Sequence, residues 1–116
     1  MNASFWMIPA SLALAASACA TAPRQQLTDS SAAVSAAEAR DAAEHPRAAY
    51  HLALAKEQLE AAKPLVEGSR KDKQHARDLL ARAEVDAQLA MSLAQSAEMQ
   101  DQAKSAWDEV RELRSE

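Results

Sequence analysis

The sequence predicts an all-α fold, either an antiparallel helical hairpin or a three-helix, coiled-coil-like bundle, with a long C-terminal helix in both cases. Three observations lead there. Alanine supplies 30 of the 116 residues, and glycine occurs once. Aromatic residues reach only 3% although 48% of the chain is apolar. Apolar residues recur at three- and four-residue steps through most of the chain. Alanine favours helix because its side chain loses no rotamer freedom there. The scarcity of glycine and of alternating Val/Ile/Thr runs excludes Rossmann and P-loop folds, sandwiches and barrels, whose tight turns and pleated strands need those residues. The length allows one small domain.

The chain opens with an apolar stretch from Phe5 to Ala18 that ends in small residues. It is too short to span a bilayer, which takes ~20 apolar residues, and it reads as a secretory signal over residues 1–18. Its n-region holds no Lys or Arg, and Pro9 lies inside the apolar run. The only cysteine, Cys19, follows Ala16-Ser17-Ala18, so cleavage between Ala18 and Cys19 makes it the first mature residue. An unpaired thiol is anomalous in an oxidising compartment, and thioether attachment to a diacylglycerol removes the anomaly. The stretch Ala16 to Cys19 resembles the bacterial lipobox, with Ala16 where Leu is preferred. Ala20 rather than Asp follows the cysteine, which by that resemblance implies sorting to the outer membrane. Each buried methylene of such an anchor contributes about 0.8 kcal/mol. The rival reading is ordinary cleavage at the Ala-x-Ala sequence of residues 16 to 18, which releases a soluble periplasmic protein.

Residues 19–27 are short, polar and broken by Pro23, as expected of a flexible tether. The helical domain is expected over residues 28–116. Thr28 or Asp29 can cap a first helix over residues 29–44, with Ala32, Ala36, Ala39 and Ala43 on one face. His45-Pro46 breaks it and starts a second helix over 46–63, because proline suits the first helical position. Ala48, Leu52, Ala55, Leu59, Ala62 and Val66 give this helix an unbroken 3-4 seam. Pro64 and Gly68 stop it. Ser69, followed three residues later by Asp72, predicts a capping box for a third helix over 69–114.

That third helix contains no proline or glycine and carries two seams. Ala76, Leu80, Ala83, Ala87, Ala90, Ala94 and Ala97 form one; Val85, Leu89, Ser92, Ser96, Met99, Ala103, Ala106, Val110 and Leu113 form the other. On a heptad wheel they are centred roughly 150° apart, too wide an arc for one neighbouring helix. One solution packs the first half of helix three on helix two and the second half on helix one, the two shorter helices lying end to end. The other is a compact three-helix bundle whose final turns, Trp107 to Leu113, protrude or meet a partner. Trp107 is expected to close the apolar end by packing on helix one, with anchoring of a partner as its other role. Ser92 and Ser96 are expected at a close crossing, bonded to carbonyls one turn back. Methyl-lined seams let axes approach closely but bury little area. Self-association or a protein partner is therefore expected, with Met99, Trp107, Val110 and Leu113 as candidate partner surface.

Lys and Arg number 13 against 17 Asp and Glu, a formal charge of −4, which argues against nucleic-acid binding. The basic stretch Arg70, Lys71, Lys73, His75 and Arg77 reads as a solvated turn, with an anionic lipid or polymer as its other possible contact. His45, His51 and His75 belong to no HExxH or ExxH arrangement, so no metal site is expected. His45 is read as a residue of the helix break, and the other two as surface groups. No serine sits in a nucleophile elbow and Cys19 belongs to the sorting signal. Neither enzyme activity nor a catalytic residue, cofactor or small-molecule substrate is expected.

Tyr50, Leu52-Ala53, Leu59, Ala61-Ala62, Ala76-Arg77, Leu79-Leu80-Ala81 and above all the AExDAxLA stretch from Ala83 to Ala90 resemble the bacterial family called domain of unknown function 4398. The resemblance covers about Ala32 to Ala103. It implies a small, alanine-rich, helical, exported protein, often a lipoprotein, with no established catalytic residues. Some relatives carry an OmpA-type peptidoglycan-binding domain after the helices; none is expected here. The function expected is that of a lipid-anchored structural or adaptor element on the periplasmic face of the outer membrane. The alternative is a soluble periplasmic binding or chaperone-like module that holds apolar clients on alanine and methionine, including Met91 and Met99.

Overall fold

A computed structural model describes residues 21–116. The expected signal, the Ala18–Cys19 cleavage point and the lipidation site Cys19 lie outside the described residues. Three helices follow in order: α1 (Pro23–Ala39), α2 (Pro46–Ala62) and α3 (Arg70–Ser115), with no strand among the described residues.

Helix α1 begins at Pro23, inside the stretch expected to be a tether and before the expected caps. Proline at the first helical position loses no hydrogen bond, since that amide has no acceptor within the helix, and its ring presets φ. Thr28 and Asp29 then sit mid-helix and bond locally. The Thr28 hydroxyl donates to the Arg24 carbonyl at 3.3 Å, and the Gln25 amide donates to Asp29 at 2.9 Å. The helix stops at Ala39, earlier than expected, because Asp41 adopts a left-handed backbone conformation, φ 53°. Residues Ala42–Glu44 make a single 3-10 turn before α2. His45 is extended, as the residue before a proline must be, and Pro46 opens α2. A second 3-10 turn, Lys63–Leu65, carries Pro64 after α2 ends.

Ser69 caps α3 with a reciprocal capping box. Its hydroxyl accepts from the Asp72 amide at 3.2 Å, while the Asp72 carboxylate accepts from the Ser69 amide at 2.8 Å and hydroxyl at 2.7 Å. Gly68 stays glycine for a steric reason. A Cβ there would lie 2.6 Å from Asp72 Oδ2, so any side chain pushes the carboxylate out of the box.

The two shorter helices do not lie end to end. Arg24 at the start of α1 pairs with Glu67 in the α2–α3 connection, its Nε 2.8 Å from the carboxylate. Ser30 donates to the Leu80 carbonyl at 3.0 Å. At the opposite end, the start of α2 lies beside Leu93, Ala97 and Gln100. Helices α1 and α3 therefore run parallel, α2 runs antiparallel between them in sequence, and both pack on the first half of α3. The arrangement is the compact three-helix bundle with protruding final turns.

The core follows the predicted seams of α2 and α3 but not that of α1. Ala48, Leu52, Ala55, Leu59, Ala62 and Val66 are buried, as are Ala76, Leu80, Ala83, Ala87, Ala90 and Ala94. Ala97 is half-buried. In α1 the buried set is Pro23, Ser30, Val34 and Ala37, with Leu27 packed against it, while Ala32, Ala36 and Ala39, with Ala43 beyond, face solvent. Every face of this helix offers methyls, so burial of the larger Leu27 and Val34 decides its rotation. Ser30 is carried inward with them and is satisfied by the Leu80 carbonyl.

Two outcomes follow. Ala87→Leu places a bulky side chain where α3 meets its neighbours and is expected to destabilise the bundle by about 1–3 kcal/mol in urea unfolding. The Asp72 carboxyl is held below its ordinary value, first by the Ser69 hydroxyl and then by the Ser69 amide. Its stabilisation is therefore complete above the unfolded-state value of 3.8 and is lost as pH falls through the lower folded value. Asp72→Asn is expected to flatten the thermal stability profile in that acid window, read by circular dichroism.

Candidate functional site

Because α1 and α2 lie along α3 only as far as about Ala97, the turns beyond Gln100 have no neighbour among the described residues. From Met99 to Glu116 every residue is exposed. The 46 residues of α3 make a rod ~69 Å long at 1.5 Å per residue, and its last third stands clear of the bundle. The second seam is solvent-facing along its whole course. Val85 is 64% exposed, Met99 62%, Trp107 66% and Leu113 66%, with Leu89 and Val110 also exposed.

The four residues expected to form a partner surface, Met99, Trp107, Val110 and Leu113, thus lie together on the free part of α3. Trp107 does not pack on helix one, contrary to expectation. Helix α1 ends beside the middle of α3 and runs out before reaching it. Ser92 and Ser96 likewise face solvent rather than a helix crossing. The expectation that the second seam packs within the chain required end-to-end α1 and α2, and it fails with that arrangement.

Some polar groups of the bundle join its helices. His51 is not a free surface group: its Nδ1 lies 2.9 Å from Asp86 Oδ1, and the Gln58 amide donates to Asp86 Oδ2 at 3.1 Å. Asp86 thereby ties α3 to two positions of α2 that lie about two turns apart on one face. Ser30 and this cluster were not singled out in the sequence. Ser30 did carry a signal, since it stands four residues before Val34 in phase with the buried face. His45 lies at the helix break, its carbonyl accepting from the Ala49 amide at 2.7 Å. The basic residues Arg70, Lys71, Lys73 and His75 form the first turns of α3, at the end of the bundle where α1 begins. Lys71 and His75 are exposed there and Lys73 half-buried.

An open groove of about 240 Å³ lies where α2 starts, lined by residues including His45, Arg47, Leu93 and Gln100. It gathers no cluster of acids or nucleophiles. Among residues 21–116 no group of His, Cys, Asp or Glu is placed to hold a metal ion, and no helix is long and apolar enough to cross a membrane.

The sequence profile of one family, Domain of unknown function (DUF4398), matches residues 25–106. The chain belongs to this family. No curated protein and no solved structure matches it. The DUF4398 match takes in nearly all of α1, the whole of α2 and α3 as far as Ala106. It includes the AExDAxLA stretch, whose parts now have physical roles in this chain. Ala83, Ala87 and Ala90 are buried at the helix contacts, Asp86 holds His51 and Gln58, and Val85 and Leu89 begin the exposed seam.

Because nothing packs on Trp107, Trp107→Ala is expected to change the stability of an unassociated chain by no more than about 0.5 kcal/mol, as substitutions away from packed groups do. A loss of several degrees in circular dichroism melts under dilute, dissociating conditions would instead place the indole against α1.

Proposed function

We propose that this DUF4398 protein is an outer-membrane lipoprotein that acts as a structural adaptor of the bacterial envelope. In this reading acylated Cys19 holds the chain end in the periplasmic leaflet, and the helical bundle presents the free last third of α3 to a protein partner. No reaction is assigned to it.

The observation that carries the adaptor reading is the exposed 3-4 seam of α3, continued on a rigid helix beyond the last residue of the bundle. Large exposed apolar side chains aligned on one face, here Met99, Trp107, Val110 and Leu113, are costly in water and mark interaction surfaces. The anchor reading is supported by the small residues before the chain's only cysteine and by the direction of the helices. The start of α1 and the start of α3 share one end of the bundle. A tether leading into Pro23 would set that end at the membrane, and α3 would carry its seam away from the surface. Arg70, Lys71 and Lys73 would then sit on the membrane side, where cations are attracted to anionic headgroups.

Cys19→Ser in the full chain, expressed in a Gram-negative host, tests the anchor. The expected outcome is loss of palmitate labelling and transfer of the protein from the membrane to the soluble periplasmic fraction. A parent chain that takes no label and already fractionates as soluble would instead favour a free periplasmic binding module.

A further inference from the structure

We propose that the partner of the exposed α3 seam is a second copy of this chain, the two seams joining as a parallel, in-register, two-stranded coiled coil over residues 85–114. The inference rests on reading this face as an interaction surface, and not on the membrane anchor.

The spacing is that of a coiled coil. From Val85 to Leu113 the seam steps by four and three residues without a break, with Leu89 and Val110 at a positions and Val85, Met99 and Leu113 at d. The remaining core positions are small, Ser96 and Ala103 at a and Ser92 and Ala106 at d, so the large apolar contacts of the four heptads gather at Val85–Leu89, at Met99 and at Val110–Leu113. The opposite side of the helix is already committed, since the Ala83–Ala94 seam faces α1 and α2. Pairing along the free seam therefore places the two bundles back to back.

The charges select the second copy and its direction. In a parallel pair the residue before each a position meets the residue after the d position of the next heptad on the other helix. Glu109 then faces the second copy's Arg114, and by symmetry the contact occurs twice. Among the described residues neither Glu109 nor Arg114 makes an ion pair within the chain, Arg111 instead pairing with Asp108 and Lys63 with Glu60. The other flanking positions before a, namely Gln88, Gln95 and Gln102, are neutral, so the in-register pair meets no like charge. Trp107 lies over the second copy's Gln102, with its ring against the seam. An antiparallel pair would bring Arg114 to the second copy's Asp86. That carboxylate is already held by His51 and Gln58 of α2, and Glu109 would be left facing Gln95. Only the parallel register gives each free charge its complement.

The test uses the full chain with Val110→Cys, expressed in a Gram-negative host, in both the parent and the Cys19→Ser background. Cells are treated with a short bismaleimide cross-linker. A covalent dimer is expected in both backgrounds. Glu109→Arg opposes two arginines at each contact and is expected to reduce the dimer roughly fivefold to tenfold, an effect of the size exposed ion pairs give. Glu109→Arg combined with Arg114→Glu is expected to restore it. Helicity by circular dichroism stays unchanged throughout, since Ser92, Glu109, Val110 and Arg114 are all exposed on α3. Absence of dimer in both backgrounds overturns the proposal. So does a dimer indifferent to Glu109→Arg, or one formed only between Val110→Cys and Ser92→Cys copies, the antiparallel match. A monomer that Cys19 still retains in the membrane removes the homotypic partner and leaves the anchor standing. A dimer whose fractionation ignores Cys19→Ser does the reverse.

Discussion

The structure depends on how closely three helix axes can approach along one stripe of α3. That stripe is methyl rather than isobutyl at Ala76, Ala83, Ala87, Ala90 and Ala94, all fully buried. Small side chains at a contact shorten the usual 8–10 Å between axes, so a single narrow seam serves both α1 and α2. Larger residues enter where the helices leave more room: Leu80 on α3, Leu52 and Leu59 on α2, Val34 on α1. Close contact of backbones partly replaces the area that a leucine-rich core would bury. The consequence is a bundle whose shape tolerates little change in volume at the seam.

Polar groups set the relative positions of helices that methyls alone would leave free to slide. Alanine seams have weak register, because one methyl resembles the next. The Ser30 hydroxyl on the Leu80 carbonyl fixes α1 against α3, and Asp86 held by His51 and Gln58 fixes α2 against α3. A buried hydroxyl must find an acceptor or incur a desolvation penalty, so these contacts exclude shifted packings more effectively than their net strength suggests. The ion pair of Arg24 with Glu67 closes the end of the bundle where α1 begins, and solvent screening makes it weak.

The bundle also determines what remains available. With α1 and α2 side by side, the packed length of α3 ends near Ala97, and the rest of its 46 residues projects. The helix continues unbroken through this free segment, so the seam is presented at a distance from the bundle. The groove at the start of α2 is open to solvent, and the largest exposed apolar side chains lie on the projecting helix.

The sequence determined the local signals by itself. Helical composition, the His45-Pro46 break, the Ser69–Asp72 box and the two seams of α3 are all short-range features, set by backbone sterics, hydrogen-bonding groups and the 3.6-residue period. Tertiary structure decided the rest. Pro23 could be read as a breaker or as a first helical residue, and the face of α1 was ambiguous because alanines surround it. Whether α1 lies beside α2 or beyond it depends on contacts between residues as far apart as Ser30 and Leu80, which no local pattern encodes. The same decision placed Trp107 in solvent instead of against α1. When most side chains are methyls, periodicity states that a face can be buried, and only the competition among whole packings settles which faces are.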